Sequence, residues 1–90
     1  MIIEPKFQGT WINETNGRVN VKLIFRDNKY LLQCYKIFMI YSGNYYYTDD
    51  KITFEFNDMD SLTQNYILNG NNLELMVFKE YYQGLFKKIL

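Results

Sequence analysis

The stretch Lys51-Ile52-Thr53-Phe54-Glu55-Phe56 decides the fold class, because its apolar and polar side chains alternate without interruption. Ile52, Phe54 and Phe56 fall on one face of an extended chain, and the polar side chains between them fall on the other. A period of two in β-branched and aromatic residues predicts a β-strand with one buried face. Similar stretches follow one another along the rest of the chain.

Turn signals separate these stretches at near-regular intervals, as in β-sandwiches and β-barrels. The turns include Asn16-Gly17, Asp27-Asn28 and the tetrad Asn69-Gly70-Asn71-Asn72, in which Asn and Gly adopt left-handed backbone conformations at little cost. We therefore predict eight strands, at residues 7–12, 18–26, 29–38, 43–48, 51–56, 63–68, 73–78 and 83–89.

The segment 30–41 is ambiguous between strand and helix. Leu31, Cys34, Tyr35 and Phe38 recur at helical spacing, and the length of the segment does not decide between the two. We favour a strand because the two-residue connection at Asp27-Asn28 requires a hairpin. A helix is the alternative.

Short connections between consecutive strands predict an all-β, antiparallel, up-and-down meander that forms one domain over residues 1–90. Eight strands suffice to close such a meander into a small barrel, and closure removes the exposed strand edges. An open β-sandwich or an SH3-like barrel is the alternative. The aromatic content of 19% supplies the volume that fills a core built without a single Ala or a disulfide.

Several short motifs resemble lipocalins and other calycins. Gly9-Thr10-Trp11 resembles their Gly-x-Trp opening, in which the Trp closes the base of the barrel. Gly43-Asn44-Tyr45, residues 51–56, residues 66–75 and Phe86-Lys87-Lys88 are similar to small bacterial lipocalin-like domains of unknown function. The resemblance implies a lipocalin-like barrel, a basic side chain (Lys87 or Lys88) over the ring of Trp11, and a small apolar ligand in the interior. The chain is shorter than lipocalins, which leaves less room for a ligand.

Charge and cysteine content restrict the partners and the compartment. Ten Lys and Arg balance ten Asp and Glu and are scattered along the chain, which argues against nucleic-acid binding. No apolar run is long enough for a transmembrane helix, and the first residues lack the pattern of a secretory signal. Cys34 is the only cysteine, and a free thiol suits a reducing cytoplasm. We expect a cytoplasmic protein, and its bias towards Asn, Ile, Lys, Tyr and Phe points to a low-GC bacterium or its phage.

The absence of His argues against catalysis as the function. It removes Ser-His-Asp chemistry and His-based metal sites, and it leaves Cys34 without an imidazole base. The carboxylate pairs Asp49-Asp50 and Asp58/Asp60 lack the spacing and terminal Glu of a calcium loop, so we interpret them as solvated turns. We expect no enzyme activity, no cofactor and no metal.

Tyrosines are the candidate recognition residues. In the run Tyr45-Tyr46-Tyr47 the two outer residues share one face of a strand, so Tyr46 points away from the core. Exposed tyrosines contribute large contact area with few rotatable bonds, which is typical of protein interfaces. The predicted partner-binding residues are Tyr35, Tyr46, Tyr81 and Tyr82, although scattered surface tyrosines are common as well.

Two functions follow. The preferred hypothesis is a non-catalytic protein-interaction module or inhibitor, of the immunity or phage anti-defence type, acting through an exposed Tyr-rich face. The alternative is a lipocalin-like protein that binds a small apolar or aromatic ligand in the barrel, lined by Trp11, Tyr45, Tyr47, Phe54 and Phe56. The sequence does not determine the oligomeric state.

Overall fold

Eight β-strands and no helix make up the described part of the chain, residues 6–35, 38–57, 60–75 and 84–90 of a computed structural model. The strands are β1 (Gly9–Thr15), β2 (Arg18–Arg26), β3 (Lys29–Cys34), β4 (Met39–Tyr47), β5 (Lys51–Phe54), β6 (Leu62–Asn69), β7 (Asn72–Leu75) and β8 (Leu85–Lys88). No helix among these residues is long and apolar enough to cross a bilayer.

Each strand pairs antiparallel with the next along the chain, and β8 pairs with β1 to close the barrel. The closing ladder joins Trp11 to Lys88 and Ile12 to Lys87. Two backbone hydrogen bonds extend it, from the Thr10 amide to the Leu90 carbonyl and from the Ile89 amide to the Thr10 carbonyl. The prediction of an up-and-down meander that closes into a small barrel is confirmed, and the sandwich and SH3-like alternatives are set aside.

The predicted tight turns form at residues with left-handed backbone angles. Asn16 and Gly17 connect β1 to β2 with φ of 53° and 81°, and Asp27 begins the β2–β3 connection with φ of 56°. Gly70 has φ of 62° between β6 and β7. These are residue types that enter this region at little cost, so local chemistry sets the register of the three hairpins.

The described residues of the segment 30–41 contain strand and no helix, but the predicted third strand is too long. β3 ends at Cys34, and β4 begins at Met39 instead of residue 43. Phe38 lies between them with φ of 54°, a conformation that continues neither a strand nor a helix. Residues 39 to 41, the last apolar residues of this segment, therefore belong to β4.

Strand β4 changes partner halfway along its length. Its first part pairs with β3, and from Tyr45 onward it pairs with β5. At the change the backbone of Glu55 passes over Gly43, where any Cβ would overlap the Glu55 carbonyl oxygen. The same oxygen accepts a hydrogen bond of 2.7 Å from the Tyr30 hydroxyl, and the Glu55 amide donates to the Asn44 carbonyl at 2.9 Å. Only glycine fits this crossing.

The core consists of the inward faces of all eight strands. The alternation read from the sequence places residues correctly here, since Val21, Leu23, Phe25, Ile52 and Phe54 are all buried. The buried apolar cluster also includes Phe7, Trp11, Tyr30, Leu32, Cys34, Tyr45, Tyr66, Leu73, Leu75 and Phe86.

Candidate functional site

The barrel has two ends with different chemistry. We call the end where β1 begins the N-terminal end; it carries the connections β2–β3, β4–β5 and β6–β7. The opposite end carries the connections β1–β2 and β3–β4. The predicted interior rings of Tyr45 and Tyr47 lie towards the N-terminal end, whereas the predicted partner-binding residues Tyr35 and Tyr46 lie at different ends.

Aromatic rings fill the interior towards the N-terminal end. The rings of Phe25 and Tyr45 have centroids 4.6 Å apart, and those of Tyr45 and Tyr47 are stacked at 6.3 Å. Phe54 joins through Phe25 at 6.1 Å. Three of the five predicted lining residues therefore lie in one continuous ring cluster, and their neighbours in it are other side chains of the protein.

The two other predicted lining residues lie at the margins of this cluster. Phe56 follows the end of β5 and is only partly buried; its ring contacts Tyr30 at 6.1 Å and Tyr41 at 5.7 Å. Trp11 is buried, and its indole Nε1 donates a hydrogen bond of 2.8 Å to the carbonyl of Phe7. Phe56 and Trp11 thus contact Tyr30, Tyr41 and Phe7 at the edges of the ring cluster.

Phe7 occupies the centre of the ring cluster, a role that the sequence analysis missed. Its side chain is fully buried and meets the rings of Tyr47 at 4.8 Å, Tyr66 at 5.0 Å and Phe25 at 5.5 Å. The sequence predicts a strand over residues 7–12, with Phe7 as its first residue. Gly9 instead has φ of 124° and begins β1, and the Phe7 ring before it turns into the barrel.

Gln8 fastens this inserted segment to the β2–β3 connection. Its Nε2 donates to the Asp27 carbonyl at 2.7 Å and to the Tyr45 hydroxyl at 2.9 Å, and its Oε1 accepts from the Asp27 amide at 2.7 Å. Burial raises the pKa of Tyr45, while the hydrogen bond from Gln8 acts in the opposite direction. Residues 6–8 therefore act as a plug, held by the buried ring of Phe7 and by the side-chain amide of Gln8.

The basic side chain expected over Trp11 is Lys88. Its Nζ lies 5.8 Å from the centroid of the indole ring, within cation–π range. Trp11 and Lys88 are paired across the β1–β8 closure, so the contact lies where the barrel closes. The lipocalin resemblance implied this contact, with Lys87 as the other candidate.

The predicted partner-binding tyrosines do not share a single face. Tyr35 and Tyr46 are exposed by 43% and 55%. Tyr35 follows Cys34, which pairs with Met39, and Tyr46 lies seven residues further along β4. At about 3.3 Å per strand residue, this places the two tyrosines roughly 23 Å apart at different ends of the barrel. Tyr81 and Tyr82 lie outside the described residues.

A contiguous apolar surface instead surrounds Tyr35. We call it the β3–β4 corner: Tyr35, Phe38, Met39 and Ile40. Phe38 is 93% exposed and Ile40 is 66% exposed. Together with Gln33 and Cys34 these side chains line a shallow groove of about 180 Å³. Sequence alternation did not single out Phe38, because it was assigned to the end of the predicted third strand.

Two further surface grooves are formed by described residues. One of about 540 Å³ lies beside the β1–β2 turn, and its walls include Arg18, Asn20 and Tyr35. One of about 300 Å³ lies across β6, β7 and β8, between Ile67 and Leu85. Neither these two nor the groove of the β3–β4 corner is lined by Tyr45, Tyr47, Phe54 or Phe56.

Reactive groups are sparse in the described part of the chain. Cys34 is buried, and burial raises the pKa of its thiol, which suppresses the nucleophilic thiolate. Within the described ranges no three or more His, Cys, Asp or Glu side chains are grouped so that they could hold a metal ion.

Comparison with protein-family models, curated proteins and solved structures finds no significant match to this chain. The fold class, a closed eight-stranded antiparallel barrel, therefore rests on the strand pairing described above.

Proposed function

We propose that the protein is a non-catalytic interaction module that binds a protein partner through the β3–β4 corner. The observation that carries this proposal is Phe38, which combines 93% exposure with a φ of 54°. Each feature is unfavourable for folding on its own: a large apolar side chain in water contributes no burial, and a bulky residue in the left-handed region is strained. Strained residues of this kind concentrate at functional sites.

The neighbouring side chains make the corner a surface suited to a protein. Met39 and Ile40 are exposed beside Phe38, and Tyr35 adds a ring with one hydroxyl, which here donates to Gln33 Oε1 at 3.2 Å. Aromatic residues and Met are enriched in the centres of protein interfaces, while charged residues are depleted there. The four described residues of the corner are uncharged, which fits the apolar centre of a protein interface.

For the inhibitor hypothesis, the β3–β4 corner is the surface that contacts the target. An inhibitor of immunity or phage anti-defence type would cover part of a target enzyme with the β3–β4 corner in place of the Tyr-rich face expected from the sequence. A buried, weakly acidic Cys34 is compatible with a reducing compartment, and we propose the cytoplasm as the location.

The experiment compares capture of partners from a lysate of the source organism by the wild type and three variants. Phe38→Asn removes the ring and places at φ of 54° a residue that tolerates the left-handed region, so its thermal stability should match or exceed that of the wild type. Ile40→Thr removes a second apolar side chain. Tyr46→Thr is the matched control, an exposed aromatic side chain at the other end of the barrel.

We expect the Phe38→Asn and Ile40→Thr variants to lose the same captured protein, which the wild type and Tyr46→Thr retain. The captured protein should then bind the purified wild type directly, with at least tenfold weaker affinity for Phe38→Asn. Loss of capture with Tyr46→Thr, and retention with both corner variants, would assign recognition to the other end of the barrel and refute the proposal.

A lipocalin-like binder of a small apolar ligand is the second candidate. The closed barrel and the position of Lys88 over Trp11 favour it. A ligand among Tyr45, Tyr47 and Phe54 has to displace Phe7, whose ring already lies there. Fluorescence titration with an apolar dye such as anilinonaphthalene sulfonate separates the two: a ligand-binding interior gives saturable binding to the wild type, whereas a filled interior gives it only after Phe7→Ala.

A further inference from the structure

The ammonium group of Lys6 lies in a cage of aromatic rings at the N-terminal end of the barrel. Its Nζ is 4.9 Å from the ring centroid of Tyr66, 5.5 Å from that of Tyr47 and 5.9 Å from that of Phe7. All three distances fall within the limit of about 6 Å at which a cation is attracted to the ring quadrupole. Three rings around one nitrogen is the arrangement by which proteins recognise organic ammonium ions.

The hydroxyl of Tyr66 is oriented to accept a hydrogen bond from this cation. It donates its own proton to the Thr48 carbonyl at 2.7 Å, which leaves its lone pairs for Lys6 Nζ at 2.6 Å. The hydrogen bond to Tyr66 raises the pKa of Lys6, and Tyr47 and Asp49 add to the effect, although burial opposes it. The surroundings therefore favour a positive charge.

The walls of the cage do not depend on Lys6. Tyr47 lies on β4 and Tyr66 on β6, strands that are both paired with β5, and Asp49 lies in the β4–β5 connection. Tyr66 is buried and fixed by its bond to Thr48. If the side chain of Lys6 leaves, Tyr47 and Tyr66 stay in place and present two ring faces and an acceptor oxygen to an incoming cation.

We propose that the rings of Tyr47, Tyr66 and Phe7 form a binding site for alkylammonium cations, which Lys6 occupies in the free protein. The acceptor at 2.6 Å from the nitrogen selects cations that carry an N–H, because a quaternary ammonium has no proton to donate and its methyl groups hold the nitrogen further away. The ligand class is thus a primary or partly methylated alkylammonium, on a small amine or on the lysine side chain of a partner.

An external ligand competes with Lys6 for the cage. Its apparent affinity for the wild type is lowered in proportion to the fraction of molecules in which Lys6 is displaced. Lys6→Ala removes the competitor and leaves the walls intact, so the site can be assayed in this variant without knowledge of the natural ligand.

The test measures the unfolding equilibrium of Lys6→Ala in urea with added n-butylammonium chloride, and with sodium chloride at equal ionic strength. A probe concentration ten times its dissociation constant should raise the folding equilibrium constant about elevenfold. The wild type should not respond at these concentrations. If Lys6→Ala is unfolded without the probe, recovery of the far-UV circular dichroism spectrum by n-butylammonium, and not by sodium, is the supporting result.

Two controls separate cage binding from a general effect of the amine. Lys6→Met keeps the aliphatic stem in the cage without the charge and should not respond. The double variant Lys6→Ala/Tyr66→Phe lacks the acceptor hydroxyl. n-Butylammonium should raise its folding equilibrium constant at least tenfold less than that of Lys6→Ala, to the level produced by tetramethylammonium. An equal response of the wild type, Lys6→Met and Lys6→Ala would overturn the proposal, as would equal responses with and without the Tyr66 hydroxyl.

A further titration identifies the source of the cation. A short peptide with blocked ends and a single lysine is compared with n-butylammonium on Lys6→Ala. Tighter binding of the peptide indicates that a partner's lysine enters the cage, and binding of n-butylammonium alone indicates a small amine. Failure of both to bind would refute the site.

Discussion

Replacing Phe7 by Ala tests whether residues 6–8 plug the barrel. The side chain is fully buried, with centroid distances of 4.8 Å to 6.3 Å to the rings of Phe25, Tyr45, Tyr47 and Tyr66. Truncation of a core Phe to Ala costs about 3–5 kcal/mol, because transfer free energy is lost and a cavity is left. Since the substitution also removes four favourable interactions between aromatic rings, we expect about 4 kcal/mol, in the upper part of this range.

The size of the domain converts this loss into a measurable shift. At about 2.1 cal/mol/K per residue, 90 residues give an unfolding entropy of roughly 190 cal/mol/K, so 4 kcal/mol lowers the melting temperature by roughly 20 °C. Urea unfolding followed by the fluorescence of Trp11 measures the free energy directly. The indole also reports on the segment itself, since its Nε1 donates to the Phe7 carbonyl.

Phe38→Ala is the matched control, because it deletes the same atoms from a side chain that is 93% exposed. We expect it to change the free energy of unfolding by no more than about 0.5 kcal/mol. If Phe7→Ala costs less than about 1 kcal/mol, similar to Phe38→Ala, the Phe7 ring contributes little to the core and residues 6–8 do not plug the barrel.

Three further changes test the closure and crossing of the strands. Gly43→Ala forces a Cβ against the Glu55 carbonyl, and we expect a loss of about 2 kcal/mol or more in urea unfolding. Burial raises the pKa of Tyr30 to about 12, and Glu55 adds to the shift. The neutral hydroxyl therefore stabilises the fold at pH below 10, and roughly 2–3 kcal/mol of this stabilisation is lost as the pH rises from 10 to 12. Tyr30→Phe should flatten this pH dependence in unfolding curves measured at pH 9 to 12. Lys88→Gln removes the cation over the indole and should cost about 0.5–1 kcal/mol with a change in its fluorescence.

Each of these changes has its own control. Ser42→Ala adds no atom beside the crossing and should leave stability unchanged, whereas equal losses at residues 42 and 43 would contradict the crowding argument. Lys87→Gln removes a charge from the same strand and should leave the indole emission as it is. Wild type and Tyr30→Phe sharing one pH dependence would show that other groups carry the alkaline loss.

The Phe38 side chain illustrates where local and global requirements conflict in this protein. Its backbone angle and its exposure both oppose folding, while the residues of the neighbouring strand β3 obey the alternation of a barrel strand. A local conflict of this kind, in an otherwise consistent sequence, is expected at functional or strained positions. Tyr46 shows no such conflict, because it is exposed on a regular strand and its backbone φ is not in the left-handed region.

The amino-acid sequence alone determined the strand pattern and its faces. Alternation of short β-branched and aromatic runs depends on neighbours one or two residues away, and Asn and Gly enter left-handed turns through their own chemistry. For this reason the strand 18–26, the Asn16-Gly17 turn and the opposite orientations of Tyr45 and Tyr46 were all predicted correctly. The basic side chain over Trp11 came from the family resemblance.

Tertiary structure alone decided what lies at the two ends of the barrel. Phe7 fits the alternation of a strand, yet it turns into the interior because the rings of Tyr47 and Tyr66, distant in sequence, leave a space for it. Likewise Lys6 meets Tyr66 across sixty positions, and Gly43 is required by the Glu55 backbone. Such contacts depend on the closure of β8 onto β1 and on the register of every strand between them, which no local pattern contains.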